Sequence, residues 1–286
     1  MSLRNKTIAE ALREGKQRLR SAGKDAYAVE AELLLEKAVG LNRTALFLRG
    51  EEPISAEAAM QYEGFLAERE SGRPTQYILG TWEFMGLPFS VGEGVLIPRG
   101  DTEILVETIL EKQQTEPLRT ILDIGTGSGC IPVSLSHYGK FEHVLAVDIS
   151  RKALGYATKN AAANHAEISF YESDLFQNVP AQWRGQLDAI VSNPPYIPKE
   201  DIAGLMREVK DFEPINALDG GADGLDFYRS ISANWGSALR KSGWLVYEIG
   251  KGQEQDVAAI LRQQGFSQIT QQMDGNGIVR VVAGQK

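Results

Sequence analysis

At 286 residues the chain has room for two domains, or for one domain with an appended module. Its composition, 43% hydrophobic and 24% charged, is that of an ordinary globular protein, and no apolar run approaches the roughly 18 residues of a membrane span. The net charge of −8 lies wholly beyond residue 75, because residues 1–75 hold 12 Lys/Arg and 12 Asp/Glu. That argues against sequence-independent binding to duplex nucleic acid, which depends on neutralising phosphates.

The first residues, Met1-Ser2-Leu3-Arg4-Asn5-Lys6-Thr7, lack the apolar run of a secretory signal. A single cysteine, Cys130, excludes an internal disulfide and leaves too few thiols for a zinc site, and the three histidines add no metal motif. A reducing cytoplasm fits best. Thr7 with Glu10 forms a capping box for a first helix that Gly23 ends. Asp25 starts a second, with Val29, Leu33, Leu34 and Ala38 at helical spacing before Gly40. A short helix covers Thr44 to Leu48, and Ser55 opens another that runs to about Gly72. Residues 1–72 therefore read as a small helical bundle. Arg13, Lys16, Arg18, Arg20 and Lys24 give its first helix a basic flank, either a solvated face or part of a partner-docking surface.

Residues 73–98 change character, with glycines and aromatics among β-formers, and predict a β-hairpin joining the bundle to residues 99–286. Asp101 is placed to cap a helix running through Val106. From residue 118 strand and helix alternate. Strands are predicted at 120–124, 144–148, 168–171, 187–192 and 244–249, which means a mainly parallel sheet covered by helices. Phe266 to Thr270 and Ile278 to Val282 are separated only by a Gly-rich turn, so they should pair antiparallel. A parallel sheet closed by such a hairpin resembles the seven-stranded, Rossmann-like α/β fold of methyltransferases that use S-adenosylmethionine (SAM).

The run Asp123-Ile124-Gly125-Thr126-Gly127-Ser128-Gly129 follows the first of these strands and opens a helix. A dinucleotide fingerprint needs its third glycine one residue later, where Cys130 stands, and the Gly-Lys-Ser/Thr of a P-loop is absent. Asp123 would repel a pyrophosphate and favour a cation. A sulfonium ligand without phosphate, SAM, suits this loop. Asp148, with Ile149 behind it, ends the second strand and can accept from ribose hydroxyls. After the third strand, Asp174 is placed to accept from the adenine amine, with Leu175 and Phe176 as apolar walls.

Asn193-Pro194-Pro195-Tyr196 follows the strand Leu187–Ser192. Neither proline has an N–H to donate, so the chain must leave the sheet with its carbonyls unpaired. An amide side chain, a bare carbonyl and an aromatic ring then meet where open α/β sheets bind ligands. The Asn193 side-chain oxygen and the Pro194 carbonyl are placed to accept from a planar NH2, with Pro195 and Tyr196 beside it. At this point adenine, cytosine, guanine and glutamine all remain open.

The whole chain resembles the HemK/PrmC family of protein-glutamine methyltransferases. The resemblance rests on Tyr77 to Glu103, the Gly loop, Asn193 to Tyr196, Glu213-Pro214-x-x-Ala217-Leu218, Gly220-Gly221-x-Asp223-Gly224-Leu225 and Glu248-Ile249-Gly250. Some members carry Trp where this chain has Leu175. The resemblance implies methylation, with SAM, of the side-chain amide nitrogen of the Gly-Gly-Gln glutamine in class 1 peptide chain release factors. It implies catalytic or substrate roles for Asn193, Pro194, Pro195, Tyr196 and Arg99, and SAM binding by the Gly loop.

Rival readings are a glutamine of a ribosomal protein, a nucleic-acid base amine, and a non-catalytic SAM-binding scaffold. Arg99 contacts the substrate or pairs with an acid. Phe84, Ile97 and Pro98 wall the cofactor pocket or pack in the core. Glu248 is expected to anchor a sheet end. With no long apolar repeat to offer an interface, a monomer is expected.

Overall fold

The computed structural model describes residues 3, 5–175, 177–235 and 238–286, which divide into two compact units. One comprises residues 1–81 with 206–212, the other 82–205 with 213–286.

The first unit is helical: α1 (Ile8–Ser21), α2 (Tyr27–Val39), α3 (Arg43–Leu48), α4 (Ala56–Glu70) and α5 (Thr75–Leu79). Local chemistry sets the starts. Thr7 and Glu10 form the capping box of α1, Asn42 accepts from Ala45 N–H at 2.9 Å, and Ser55 accepts from Ala58 N–H at 3.1 Å. The second helix begins after Ala26, not at Asp25. Leu19, Leu34, Leu35, Tyr62 and Leu66 meet in one core, and the Tyr62 hydroxyl donates to Ala31 O at 2.9 Å. Each fully buried Leu contributes about 1.5–3 kcal/mol. Arg69, 3% exposed, is tied to Glu30 at 2.9 and 3.0 Å and to Glu208. On the basic flank Arg18 makes a two-pronged pair with Glu70 at 2.7 and 2.6 Å, and Lys16 lies 3.9 Å from Glu32. That flank is therefore partly neutralised within the unit.

The hairpin is shorter than residues 73–98, since Thr75–Leu79 is a helix that ends at Gly80 in the left-handed conformation. Its two strands are β1 (Thr81–Phe84) and β2 (Leu87–Ser90). The connecting residues Met85 and Gly86 both have positive φ, 52° and 72°, which matches the right-handed twist of a tight hairpin. Next comes α6 (Gly100–Thr115), whose N-cap is Arg99. Asp101 lies one residue inside that helix, where its charge favours the N-terminal dipole but does not cap it.

The second unit is built on seven strands. They are β3 (Thr120–Ile124), β4 (His143–Asp148), β5 (Ser169–Glu172), β6 (Leu187–Ser192), β7 (Leu239–Glu248), β8 (Ser267–Met273) and β9 (Val279–Gln285). Their order is β5-β4-β3-β6-β7-β9-β8, parallel except for β9, which runs antiparallel to both β7 and β8. Every residue of β3 and β6 is buried, as expected for central parallel strands covered on both faces.

Chain order reverses at β3, which pairs with β4 on one side and β6 on the other. The register sets Ile124 beside both Val147 and Ser192. The segments that leave β3, β4 and β6 therefore emerge together at the carboxyl edge, at a topological switch point. Among the described residues no helix is long and apolar enough to cross a membrane.

Candidate active site

The loop from Gly125 to Gly129 joins β3 to α7 (Cys130–Tyr138). It is held by β4: Gly125 and Thr126 N–H donate to Val147 O at 2.9 and 3.0 Å, and Gly127 N–H donates to Asp148 Oδ2 at 2.8 Å. Gly129, φ +81°, is needed for packing as well as for its turn. A Cβ there would come within 2.9 Å of the Ala157 methyl on α8 (Arg151–Ala163).

Above this loop lies a cavity of about 310 Å³, lined mostly by apolar groups. It brings together Gly125, Gly127, Asp148, Ile149, Asp174, Leu175, Asn193, Pro194 and Pro195 from the expected site. Thr126 and Ser128 are buried, and Asp123 is fully buried at the end of β3. None of these three nor Gly129 lines the cavity. Phe176 lies outside the described residues.

The cavity's electrostatics are one-sided. Asp148 and Asp174 line it, and among the described lining residues there is no Lys, Arg or His. Asp148 is braced by N–H donors from Gly127 and Ser150, each at 2.8 Å, yet burial still raises its pKa. Each carboxylate oxygen retains a further acceptor position for a ligand hydroxyl. Among the described residues neither oxygen of Asp123 has a hydrogen-bond partner. Burial pushes its carboxyl up to about 7, the nearby Thr126 hydroxyl opposing without reaching hydrogen-bond geometry. An orphaned buried acid beneath a loop without cations fits a positively charged ligand and disfavours a phosphate.

Just past the carboxyl end of β6, the Asn193 Nδ2 donates to Thr102 Oγ1 at 3.1 Å, leaving Oδ1 to accept. Among the described residues nothing donates to the Pro194 carbonyl. Tyr196 does not line the cavity; it packs against the core, and burial pushes its hydroxyl up to about 12. Glu248 ends β7 buried near Thr102, its Oε2 without a hydrogen-bond partner among the described residues. Burial pushes this carboxyl up to about 7, and the Thr102 hydroxyl draws it down.

Arg99 pairs with the buried Glu213, which is also 3.4 Å from the Ile97 N–H. Phe84 and Ile97 are each 2% exposed and, like Pro98, do not line the cavity. The wall on that side is Gly94, Val95 and Leu96. Pro214, Asn216, Phe227 and Ile231 also line the cavity. Pro214 stood within a motif read for resemblance alone, whereas Phe227 and Ile231 look like ordinary helix positions in sequence.

Residues 10–80 match the profile of the PrmC N-terminal domain, and residues 99–208 that of the methyltransferase small domain. A release factor glutamine methyltransferase of Geobacter sulfurreducens is 41% identical over 98% of this chain and 96% of its own length. The chain belongs to the release factor glutamine methyltransferase family. A second member, from Bacillus cereus, is 41% identical over 90% of each chain. The fold is shared more widely. A solved 16S rRNA methyltransferase from T. thermophilus, in complex with AdoMet and guanosine, is 18% identical with a TM-score of 0.51, covering 72% of this chain and 49% of that one. The protein is thus an enzyme of the methyltransferase class with SAM as its cofactor.

Proposed function

We propose that the protein methylates the side-chain amide nitrogen of the glutamine in the Gly-Gly-Gln motif of class 1 peptide chain release factors, and so modulates translation termination. Family membership supports the release factor as substrate. The observation that carries the chemistry is the pair of acceptors at one wall of the cavity: Asn193 Oδ1, aimed by the bond from Nδ2 to Thr102, and the Pro194 carbonyl.

An amide nitrogen is a poor nucleophile because its lone pair is delocalised, so positioning is the main task. Bound SAM supplies an electrophilic methyl group. Asn193 Oδ1 and the Pro194 carbonyl accept the two N–H bonds of the glutamine NH2 and fix its plane. Tyr196, expected from the sequence to stack on that plane, packs against the core without lining the cavity, so its part is to steady the segment that carries the two acceptors. Such positioning accounts for on the order of 7–11 kcal/mol of barrier reduction in well-aligned systems. No strong base is required, because an N-alkylated amide cation sheds its proton readily.

In this reading the Gly loop (Asp123, Gly125, Thr126, Gly127, Ser128, Gly129) with Asp148, Ile149, Asp174 and Leu175 holds SAM. Gly125, Gly127, Asp148 and Asp174 touch it directly. Asp123 contributes field from beneath, and Thr126, Ser128 and Gly129 shape the loop. Asn193 takes part in both sites, and Pro195 completes the substrate wall. Arg99 acts through Glu213 at the mouth of α6. Residues 1–72 are the substrate-docking module, 73–98 the joint and 99–286 the catalytic domain, working as a monomer in the cytoplasm.

The test is methyl transfer from labelled SAM to a release factor, to ribosomal protein and to DNA. The expected result is transfer to the release factor alone, abolished when its Gly-Gly-Gln glutamine is changed to alanine. Transfer that survives that change would refute the assignment.

A further inference from the structure

The Asn-Pro-Pro-Tyr segment has a physical problem that the strand before it cannot solve. With two prolines and no ladder bonds, its position must be set from outside the sheet. Ile197 N–H donates to Leu218 O at 3.1 Å, Gly220 N–H to Ile197 O at 2.9 Å, and Lys199 N–H to Gly221 O at 2.9 Å. These bonds secure the chain after Tyr196. The Tyr196 carbonyl accepts from a side chain.

That side chain is Gln253, the residue before the helix Glu254–Gln263. Its position is that of a helix cap, yet it makes no capping bond. The carboxamide turns back instead. Nε2 donates to Tyr196 O at 3.0 Å and to Gly224 O at 3.3 Å. Oε1 accepts from Gly250 N–H at 2.9 Å and lies 3.4 Å from the Tyr228 hydroxyl, whose own short bond goes to Glu248 O at 3.0 Å. Gly224, φ +76°, permits the approach: a Cβ there would fall 2.4 Å from Tyr196 O and 2.8 Å from Nε2.

Only a neutral group that both donates and accepts can do this. Tyr196 O and Gly224 O require N–H donors, while Gly250 N–H requires an acceptor. Gln253 does not line the cavity. It ties the residue two places after the Pro194 carbonyl to the end of β7 and to the 220–225 loop.

We infer that Gln253 is a positioning residue for the acceptor segment, acting through the Tyr196 carbonyl on the aim of Pro194 and Asn193. The inference rests on the proposed reading of that segment as the amide-binding wall. It separates acceptor binding and turnover, which depend on Gln253, from SAM binding, which does not.

The test is Gln253→Glu. The change preserves size and the Oε1 acceptor, but sets a carboxylate oxygen against two carbonyls. Four measurements are made on the full-length protein: SAM affinity by calorimetry, release factor affinity in the presence of S-adenosylhomocysteine, melting temperature, and kcat and KM from pH 6 to pH 8. SAM affinity is expected within about twofold of wild type, while release factor binding weakens and kcat/KM falls about tenfold or more at pH 8. As pH falls to 6 the variant's carboxyl gains a proton and can donate to Tyr196 O again. The ratio of variant to wild-type rate then rises.

Gln253→Leu removes donor and acceptor together, so it should lose at least as much with no recovery at low pH. Wild-type kinetics for both variants would overturn the inference. So would an equal loss of SAM affinity, which would mark a general structural role. If the wild-type protein binds SAM but transfers nothing to the release factor, the functional reading falls and takes this inference with it.

Discussion

The Asn193 side-chain amide donates to the Thr102 hydroxyl across 91 residues of sequence, at 3.1 Å. This bond decides which end of a near-symmetric amide faces the cavity. With the NH2 engaged, the oxygen is presented as an acceptor. Asn193→Ala is therefore expected to slow methyl transfer at least about tenfold while changing SAM affinity far less, because it removes a half-buried acceptor, a loss of roughly 1–3 kcal/mol. Thr102→Val should give a smaller loss of the same kind, and Thr102→Ser should restore it. Single-turnover rates at saturating SAM make the comparison. Near-normal turnover by Asn193→Ala would remove that residue from the mechanism.

Asp123 gives a pH dependence whose sign follows from burial. Burial raises its folded pKa to about 7, from an ordinary aspartate value of about 4. Its contribution to stability is thus fully present below about 4 and is lost as pH rises through 7. Asp123→Asn should raise the melting temperature of the SAM-free protein at pH 8, by a margin that narrows towards pH 5. SAM should bind more tightly as pH rises through 7 and Asp123 ionises, whereas the Asn variant should lose that increment. Melting scans from pH 5 to pH 8 read the first effect, and calorimetric titrations with SAM at pH 6, 7 and 8 read the second. An Asn variant as pH-sensitive as wild type would exclude Asp123 as their source.

Asp148 is braced by two backbone N–H groups, from Gly127 and Ser150. Asp148→Asn turns an NH2 towards one of those donors and removes one ligand acceptor. SAM affinity should fall about tenfold, and kcat at saturating SAM should fall much less. A variant that kept its affinity for SAM would show that Asp148 only shapes the loop.

In the helical unit Arg69 is almost fully buried between Glu30 and Glu208. Removing one partner of such a group strands the other charges. Arg69→Ala is expected to destabilise the protein by about 3 kcal/mol. Replacing Arg69, Glu30 and Glu208 together with apolar residues should cost less. Urea denaturation followed by far-UV circular dichroism tests the order of the two effects.

Where the determining physics was local, the sequence was legible. The strands β3 and β6 have the predicted bounds, and the Gly loop and Asn-Pro-Pro-Tyr stand at their carboxyl ends. Thr75–Leu79 was misread as β because its aromatic and β-branched residues also suit a short helix closed by Gly80. Asp101 was misread as a cap because a favourable residue type does not fix which residue leaves helical geometry first.

Strand period, glycine punctuation and the missing N–H of two prolines act over a few residues. For that reason the sheet and the exit of the chain from it at Asn193 to Tyr196 were legible in the sequence alone. The partners that aim those groups were not. Thr102 meets Asn193 across 91 residues, Gln253 meets Tyr196 across 57, and Glu213 meets Arg99 across 114. No local pattern encodes such meetings. They exist because the order β3-β6-β7 brings one end of three strands together. Only the tertiary structure could show that Asn193 and Tyr196 are held by Thr102 and Gln253, side chains that do not line the cavity.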